Sequence, residues 1–359
     1  MRAVLSPSCP DLFGTSTSLS VRVARYGLAA VASCLLLTCG LAAAEPLKLR
    51  VGWAQAPSQL TPLAAELARR RPELFPGLGR SYTLEPLFFQ GSTPQIQALA
   101  GGELEIASLG PSSFALAVTN ARLDLRIVAD VMQDGAPGYY STWWAVRKDG
   151  PVRTVADMKG RRAALNALGA TTDIVLRQVL RRAGVPDGSY TVVETNFANM
   201  LAMIDNGKVD VVPVMPQFSH DFEATGRYRP LFTHVDVSGT TQVGMWSMRA
   251  DVIAANRPAL VDFFADYIRA VRWFLDPLNR EPALDIAQAV TKQSQGSLAY
   301  VFTRRDLYHS PDLVPNVPSV QKDIDEAVEA KVLPARIAVV PGYVDLSMVE
   351  DAKARVDRK

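Results

Sequence analysis

The chain has 359 residues, 48% of them hydrophobic, enough to bury one large core or two medium ones. With 38 basic and 36 acidic residues, it has no basic surface for nucleic acid and no polybasic patch for membranes. Its three cysteines are confined to the N-terminal segment, which excludes disulfides, thiolate nucleophiles and thiolate metal sites from the rest of the chain: Cys9, Cys34 and Cys39.

Residues 1–44 have the pattern of a secretory signal peptide. Arg22 and Arg25 precede an apolar run over residues 27–41, which ends in three alanines, and we predict cleavage after Ala44. A retained membrane anchor is the alternative, but the run is short for one. Removal of this segment leaves equal numbers of basic and acidic residues. No later segment approaches the roughly 20 consecutive apolar residues that span a bilayer.

Strands and helices alternate along the remaining chain. Residues 47–52 alternate as a strand does, and a helix beginning at Thr61-Pro62 runs to about residue 70. Strands follow over residues 82–89 and 126–131, and residues 152–165 form a short helix, a glycine turn and a strand. The next helix begins near Ala170, where Thr171, Thr172 and Asp173 can all cap it. This alternation predicts an α/β fold with largely parallel sheets.

One module occurs twice, about a hundred residues apart. Residues 91–106 with the loop 109–113 match residues 196–211 with the loop 214–218, at one constant offset. The offset pairs three positions: Gly102 with Gly207, Glu105 with Asp210, and Pro111 with Pro216. Each copy places a helix N-terminus and loop N–H groups at the open end of a strand, where α/β sheets bind ligands. Two such ends predict two lobes that close on one small molecule.

A second pair of similar segments begins at Trp144 and Trp246. We interpret residues 144–149 and 246–251 as strands that cross to the second lobe and back, which restricts the motion to opening and closing. The amphipathic stretch 262–275 predicts a core helix. The predicted organisation is a signal peptide at 1–44, a first lobe at 45–143, a second lobe at 144–245, and a return to the first lobe with C-terminal helices at 246–359.

The residues that commonly carry catalysis are sparse. His220, His234 and His309 are not at metal-ligand spacing, and zinc-protease, nucleophile-elbow, phosphate-loop and dinucleotide motifs are missing. His234 follows a predicted edge strand and is interpreted as a surface or core residue, whereas His220 lies in a predicted cleft loop and could face a ligand. No catalytic residue, metal or cofactor is predicted.

The loops predicted to face the cleft contain no lysine or arginine: residues 53–57, 90–93, 109–113, 133–140, 169–172, 196–199 and 215–218. An anion would be held by helix N-termini, hydroxyls and amides. Three N-termini contribute at most about 6 kcal/mol, short of the roughly 8 kcal/mol of micromolar binding. Apolar contacts must supply the rest, which favours a small organic acid over an inorganic ion. Asp134 could pair with an amine on that ligand.

The sequence resembles the periplasmic substrate-binding proteins of the nitrate/sulfonate/taurine ABC-transporter family over nearly all of the chain after residue 44. The likeness rests on the first module, on residues 157–164, and on residues 245–252 with 256–261. It implies a two-lobe periplasmic-binding-protein fold, type II-like, with two hinge strands. Ser92 and Thr93 would hold a sulfonate or carboxylate, with Thr171 and Thr172 closing from the second lobe.

Combining the loops with the resemblance gives the predicted ligand contacts: Trp53, Gln55, Ser92, Thr93, Gly110, Pro111, Ser112, Tyr139, Tyr140, Thr171, Thr172, Asn196, Phe197, Met215 and Phe218. Of the six apolar residues in this set, at least two are expected to belong to the core instead: Trp53, Tyr139, Tyr140, Phe197, Met215 and Phe218. Two departures from the family pattern bear on the substrate: Met215 stands where tryptophan is common, and the loop 135–140 is unlike the short family version.

The resemblance implies a monomeric periplasmic receptor, not an enzyme, that delivers a small organic sulfonate or carboxylate to an ABC permease with its cytoplasmic ATPase. A periplasmic lyase or hydrolase on the same fold is the alternative, with Asp134 or His220 as its acid–base group. The related pyrimidine-precursor synthases use a cysteine-rich metal motif, which the chain after residue 44 lacks. A receptor that serves a sensor kinase is a third interpretation.

Overall fold

The computed structural model describes residues 45–358, so the predicted signal peptide lies outside the described residues. The strands are β1 Leu47–Trp53, β2 Tyr82–Phe88, β3 Ala107–Leu109, β4 Leu125–Asp134, β5 Trp143–Arg147, β6 Arg162–Leu165, β7 Thr191–Glu194, β8 Val212–Val214, β9 Tyr228–Thr233 and β10 Thr241–Arg249. The helices are α1 Thr61–Arg70, α2 Ser92–Ala100, α3 Pro111–Thr119, α4 Thr171–Arg182, α5 Met200–Asp205, α6 Pro216–Ala224, α7 His234–Ser238, α8 Ala250–Leu275, α9 Arg280–Thr291, α10 Val317–Glu329 and α11 Ser347–Asp357.

The strands form two similar sets, which we call the first and second lobes. In the first lobe, β1 pairs with β2 in parallel, and β10 lies between β3 and β4 and antiparallel to both. In the second lobe, β6 pairs with β7 in parallel, and β5 lies between β8 and β9 and antiparallel to both. Parallel bridges join the two pieces of each lobe, Val51 to Ile106 and Ala163 to Val211. Each lobe is therefore largely parallel with one reversed strand, and the two-lobe α/β prediction is confirmed.

The reversed strands are the two tryptophan segments. β5 pairs only with strands of the second lobe, and β10 pairs only with strands of the first lobe. The interpretation of these two strands as the crossings between lobes is therefore wrong. The crossings precede them, at residues 135–142 and 234–240. Each strand runs backwards because the chain enters it from the other lobe. Both tryptophans are core residues, because Trp144 stacks on Phe232 at 5.3 Å between ring centroids and Trp246 packs 4.5 Å from Tyr267.

The first copy of the repeated module is fastened to β1 by an arginine. The Glu105 carboxylate accepts hydrogen bonds from the Arg50 backbone N–H at 2.8 Å and from its Nε at 2.9 Å. Nη2 of Arg50 donates to the Gly102 carbonyl at 2.6 Å. Gly102 has a φ of +69°, a left-handed conformation that favours glycine at this turn. We call this arrangement an arginine clamp.

The second copy has the same clamp. The Asp210 carboxylate accepts from the Arg162 backbone N–H at 2.9 Å and from its Nε at 3.4 Å. Nη2 of Arg162 donates to the Gly207 carbonyl at 2.8 Å, and Gly207 has a φ of +59°. The repeat seen in the sequence is therefore a repeat of contacts, with one clamp in each lobe.

The largest core lies under α8, whose aromatic residues pack in the first lobe, as predicted. The chain kinks at Asn256 (φ −128°, ψ 15°), two residues before Pro258, whose ring cannot continue the helix regularly. The C-terminal helix α11 packs on the same core through Met348 and Val349, which holds the end of the chain on the first lobe. Among the helices of residues 45–358, none has the length and hydrophobicity needed to cross a bilayer.

Candidate functional site

A cavity of about 160 Å³ lies between the two lobes. Loops that follow β1, β2 and β3 line it from the first lobe, together with β10 and the end of β4. Loops that follow β6, β7, β8 and β9 line it from the second lobe. The cavity therefore lies at the ends of strands from both lobes, which is where the two copies of the repeat predict it.

Three helices begin at this cavity, and no side chain of residues 45–358 hydrogen-bonds their N-terminal N–H groups. The N-cap residues of α2, α3 and α4 are Gly91, Gly110 and Ala170, and none provides a capping hydrogen bond. All three line the cavity. Helix N-termini carry a partial positive charge and unsatisfied N–H donors, which attract anions. The cavity is therefore suited to a negatively charged group.

The start of α4 differs from the sequence interpretation. Thr171, Thr172 and Asp173 were expected to be able to cap this helix, but all three follow the N-cap residue Ala170, and Thr172 and Asp173 bond other partners. The Thr172 hydroxyl donates to Oδ1 of Asn166 at 2.6 Å. The Asp173 carboxylate accepts from the Gly169 N–H at 2.9 Å and from Arg177 at 2.8 Å. The helix N-terminus has no side-chain cap, because the N-cap residue is Ala170 and the side chains of Thr172 and Asp173 bond other groups.

The cavity brings together about half of the predicted ligand contacts: Gln55, Ser92, Gly110, Ser112, Thr171, Thr172, Phe197 and Met215. Most of them belong to the loops at the starts of α2, α3 and α4, which supply hydroxyl groups beside the helix N-termini. Phe197 and Met215 add an apolar wall from the second lobe.

The other predicted contacts do not line the cavity: Trp53, Thr93, Pro111, Tyr139, Tyr140, Asn196 and Phe218. Trp53 packs on Phe88 with ring centroids 5.0 Å apart. Tyr139 packs on Tyr308 at 5.0 Å, and the Tyr140 hydroxyl donates to a backbone carbonyl of β8 at 2.7 Å.

The remaining residues of this group have structural surroundings. Asn196 accepts a hydrogen bond from the Asn199 N–H at 3.1 Å and so caps the short helix that follows it. Thr93 is exposed on α2, and Pro111 is the buried first residue of α3. Phe218 packs in a small cluster with Met215.

Several lining residues were not among the predicted contacts: Ala54, Gln59, Gly91, Gln95, Ser108, Leu109, Ser113, Asp134, Thr142, Asn166, Ala170, His234, Val243 and Gly244. Gln95 is fully buried, and its Oε1 accepts from the Ser108 N–H at 2.8 Å while its Nε2 donates to the Gly91 carbonyl at 3.2 Å. This amide ties the start of α2 to β3. The sequence did not predict this contact, because a glutamine inside a helix has no distinctive pattern. The loop just before it, which includes Ser92, was predicted to face the cavity.

Asp134 and His234 meet in the cavity wall, where the two crossings begin. The distance between Oδ2 of Asp134 and Nδ1 of His234 is 3.6 Å, and both side chains are buried. The Asp134 carboxylate also accepts from the Thr142 N–H at 2.9 Å and from the Ser141 hydroxyl at 2.7 Å. His234 was interpreted from sequence as a surface or core residue, and it is a buried residue that also lines the cavity.

The electrostatics of the cavity depend on this pair. No lysine or arginine belongs to the described residues that line the cavity. Burial lowers the pKa of His234 from its ordinary value, and the neighbouring Asp134 charge opposes that shift. Within residues 45–358, no cluster of three or more histidine, cysteine, aspartate or glutamate side chains could hold a metal ion. His220 is exposed on α6, outside the cavity.

Solved structures share this fold. The alkanesulfonate-binding protein SsuA from Xanthomonas axonopodis pv. citri, bound to MOPS, is 20% identical, with a TM-score of 0.63 over 85% of this chain and 100% of that chain. The periplasmic nitrate-binding protein NrtA from Synechocystis PCC 6803 is 14% identical, with a TM-score of 0.66 over 88% and 90%. The desulfurization enzyme DSZB is 12% identical, with a TM-score of 0.60 over 86% and 99%.

Among curated proteins, no sequence matches this chain. The family model described as "ABC transporter, phosphonate, periplasmic substrate-binding protein" matches residues 55–280, which is more than half of the chain. This span includes every residue that lines the cavity except Ala54, which immediately precedes it. The chain therefore belongs to this family of extracytoplasmic substrate-binding proteins of ABC transporters, as the sequence resemblance indicated.

Proposed function

We propose that this protein is the solute receptor of an ABC importer and that it binds a small organic sulfonate or carboxylate, aromatic ones included, between its lobes. The observation that carries the proposal is the convergence of three helix N-termini without side-chain caps on one cavity. Their N–H groups and the nearby hydroxyls of Ser92 and Thr171 are donors for the oxygens of an acid group.

The size and the walls of the cavity favour an acid with an apolar body. A dry cavity of about 150 Å³ is known to hold benzene, so about 160 Å³ accommodates a ligand of similar size. Leu109, Phe197, Met215 and Val243 supply apolar surface. Because helix N-termini alone contribute at most about 2 kcal/mol each, burial of apolar ligand surface has to supply the rest of micromolar affinity.

Release and capture would proceed by rotation of the lobes about the two crossings. Opening exposes the cavity, and ligand contacts with both lobes favour the closed arrangement. The receptor would be a monomer that a cleaved signal peptide directs to the periplasm. In its closed, ligand-bound form it would then engage the permease and its cytoplasmic ATPase. Genomic neighbours would separate this partner from a sensor kinase.

The first experiment is a thermal-shift screen of protein purified from the periplasm after export. Its mass should correspond to a chain that begins at Glu45. The panel contains alkyl and aryl sulfonates, aromatic and aliphatic carboxylates, alkylphosphonates, nitrate and thiamine-type pyrimidines. A ligand that binds only the folded protein raises the unfolding temperature by mass action. A shift with one organic acid class supports the proposal, and no shift with any acid at millimolar concentration counts against it.

Two substitutions then test the site. Ser92→Ala and Thr171→Ala each remove one hydroxyl from the cavity, one per lobe. We expect each to weaken binding of the identified acid about three- to tenfold, since a hydrogen bond contributes ~1 kcal/mol. Thr119→Ala is the matched control, because that hydroxyl bonds the Ala115 carbonyl at the far end of α3. An equal loss in the control would contradict the assignment.

An enzyme on the same fold is the second candidate, and the Asp134–His234 pair in the cavity wall is the observation that favours it. Such an enzyme would need a nucleophile or substrate proton within hydrogen-bond reach of the imidazole. No described residue hydrogen-bonds either ring nitrogen of His234. Incubating the panel compounds with the protein and analysing the products separates the two candidates, because a receptor returns each ligand unchanged.

A further inference from the structure

His234 is a buried polar side chain without a partner. Only 2% of the residue is exposed, yet neither Nδ1 nor Nε2 has a hydrogen-bond partner among the described residues. Buried polar groups in folded proteins are almost always paired, so an unpaired imidazole in a cavity wall indicates that its partner arrives with the ligand. Among the described residues that line the cavity, it is also the only side chain that can gain a positive charge near neutral pH.

Asp134 supplies the opposite charge beside Nδ1 of the imidazole, and it also lines the cavity. Its carboxylate is 3.6 Å from Nδ1 of His234 and is held in place by the Thr142 N–H and the Ser141 hydroxyl. A fixed carboxylate in the wall repels an anionic ligand, because like charges interact strongly where water is excluded. An imidazolium between the carboxylate and the ligand would remove that repulsion and attract both groups.

We propose that binding of an organic anion in this cavity is coupled to the uptake of one proton by His234, which then lies as an imidazolium between Asp134 and the acid group. This inference rests on the proposed function, because it requires that the cavity takes an acid. It identifies His234 as the residue that makes the affinity depend on pH, and Asp134 as the residue that positions and stabilises its charge.

Other charged groups near α7 are engaged elsewhere. The Asp236 carboxylate accepts from the Thr233 N–H and hydroxyl at the start of α7. Arg182 of α4 donates to the Val237 carbonyl at 2.6 Å, and Lys322 of α10 donates to the Ser238 carbonyl. From β5, the uncharged Trp144 packs 6.3 Å from the imidazole. Asp134 is therefore the charged group that faces the ring directly.

The sign of the effect follows from linkage. Burial lowers the pKa of His234 in the free protein and so favours the neutral imidazole. A bound anion raises that pKa, and the complex then holds one proton more than the free protein. Affinity must therefore increase as pH falls from the pKa of the complex toward that of the free protein, and it levels off below the latter. Between the two values the dissociation constant changes about tenfold per pH unit.

A ligand with an ammonium group beside Asp134 gives the opposite result. The carboxylate would then pair with the ligand, and His234 would stay neutral. The affinity for such a ligand would not rise as pH falls, and calorimetry would detect no proton uptake. That outcome would overturn the inference.

The test uses methanesulfonate and benzenesulfonate as probes, together with any sulfonate that the thermal-shift screen identifies. Sulfonates stay ionised throughout, so a change in affinity with pH reports on the protein. Titration calorimetry at several pH values between 5.5 and 8.5 uses two cationic buffers, imidazole and bis-Tris, because sulfonate buffers would compete for the cavity. The difference in heat between buffers gives the number of protons taken up.

We expect uptake approaching one proton per ligand and tenfold tighter binding per pH unit within the window. His234→Gln should bind more weakly, without proton uptake and independently of pH. Asp134→Asn should move the window to lower pH. His220→Gln is the matched control, because this exposed histidine lies outside the cavity, and it should behave as the unmodified protein does. Proton uptake that persists in His234→Gln would overturn the assignment.

A second measurement tests the proposal even if the His234→Gln variant does not fold, because it uses the unmodified protein. NMR of the imidazole groups in the unmodified protein should report a neutral His234 without ligand and a protonated one with sulfonate at pH 7. The two levels of proposal fail differently. If no acid binds at any pH, the proposed function fails. If a sulfonate binds without proton uptake and the imidazole stays neutral, the receptor function stands and the coupling is wrong.

Discussion

The hydroxyl of Ser112 and the carbonyl of Gly169 form a hydrogen bond across the cavity, with 3.3 Å between the two oxygens. Ser112 belongs to the first turn of α3 in the first lobe, and Gly169 precedes α4 in the second lobe. The contact therefore joins two of the helix starts that surround the cavity. It exists only when the lobes are together, so it stabilises the closed arrangement.

Ser112→Ala removes this contact. We expect about fivefold weaker binding of the identified acid, because one neutral hydrogen bond contributes ~1 kcal/mol. Titration calorimetry measures the change, and Thr119→Ala on the same helix is the control. An affinity equal to that of the unmodified protein would mean that the contact does not favour closure.

Ala170→Asp tests the role of the open helix N-terminus. An aspartate at this N-cap position would occupy the free N–H groups of α4 and place a negative charge in the cavity. We expect at least tenfold weaker binding of an anion with no loss of thermal stability. Ala170→Ser caps the helix without charge and should cause a smaller loss. Equal losses in the two variants would show that charge at this position is unimportant.

We expect Asp323 to make the stability of the protein depend on pH. Burial raises the pKa of this carboxyl to about 7, although its Oδ2 accepts from the Gln242 N–H at 3.1 Å. Because the pKa is higher in the folded protein than in the unfolded chain, the stabilising contribution is complete below about pH 4 and is lost as pH rises through about 7.

The isosteric variant Asp323→Asn should be more stable than the unmodified protein at pH 8.5, by roughly 2 kcal/mol, and should lose this advantage near pH 4. Urea unfolding at both pH values measures the difference. Asp325→Asn on the same helix is the control, since that side chain is paired with Arg336 at the surface. A variant less stable at pH 8.5 would contradict the prediction.

The two arginine clamps can be compared within one molecule. Glu105→Gln should lower the free energy of unfolding by ~2 kcal/mol, because it weakens charged hydrogen bonds to a largely buried Arg50. Asp210→Asn should cost less, ~1 kcal/mol, because Arg162 is 44% exposed and already solvated. Unfolding in urea measures both. The opposite order would mean that burial does not determine the strength of the clamps.

The sequence made much of the fold predictable because its signals were local and repeated. Gly102 and Gly207 marked equivalent turns, and strand and helix periodicity gave the α/β class. The crossings were placed one segment too late, because a buried tryptophan marks a strand without showing which sheet pairs with it. The direction of a strand depends on the lobe from which the chain enters it, and no local sequence pattern indicates that lobe.

Part of the cavity was also predictable from local sequence signals. Loops at helix starts carry glycine, serine and threonine in recognisable order, and these supplied Ser92, Ser112 and Thr171. The Asp134–His234 contact joins residues a hundred positions apart, and a single histidine after a strand gives no signal of it. The aromatic pair Tyr139 and Tyr140 was misleading as a guide to the lining, because Tyr139 packs on Tyr308 and the Tyr140 hydroxyl bonds β8.

The presence of one arginine clamp in each lobe shows that the cavity is formed between two similar units. Each lobe contains a complete unit of strand, clamp and helix start, so the cavity resembles the interface of a dimer whose subunits are joined in one chain. The crossings at residues 135–142 and 234–240 make this association intramolecular, at a high effective concentration set by their short length. Closure on a ligand is therefore independent of how dilute the protein is outside the cell membrane.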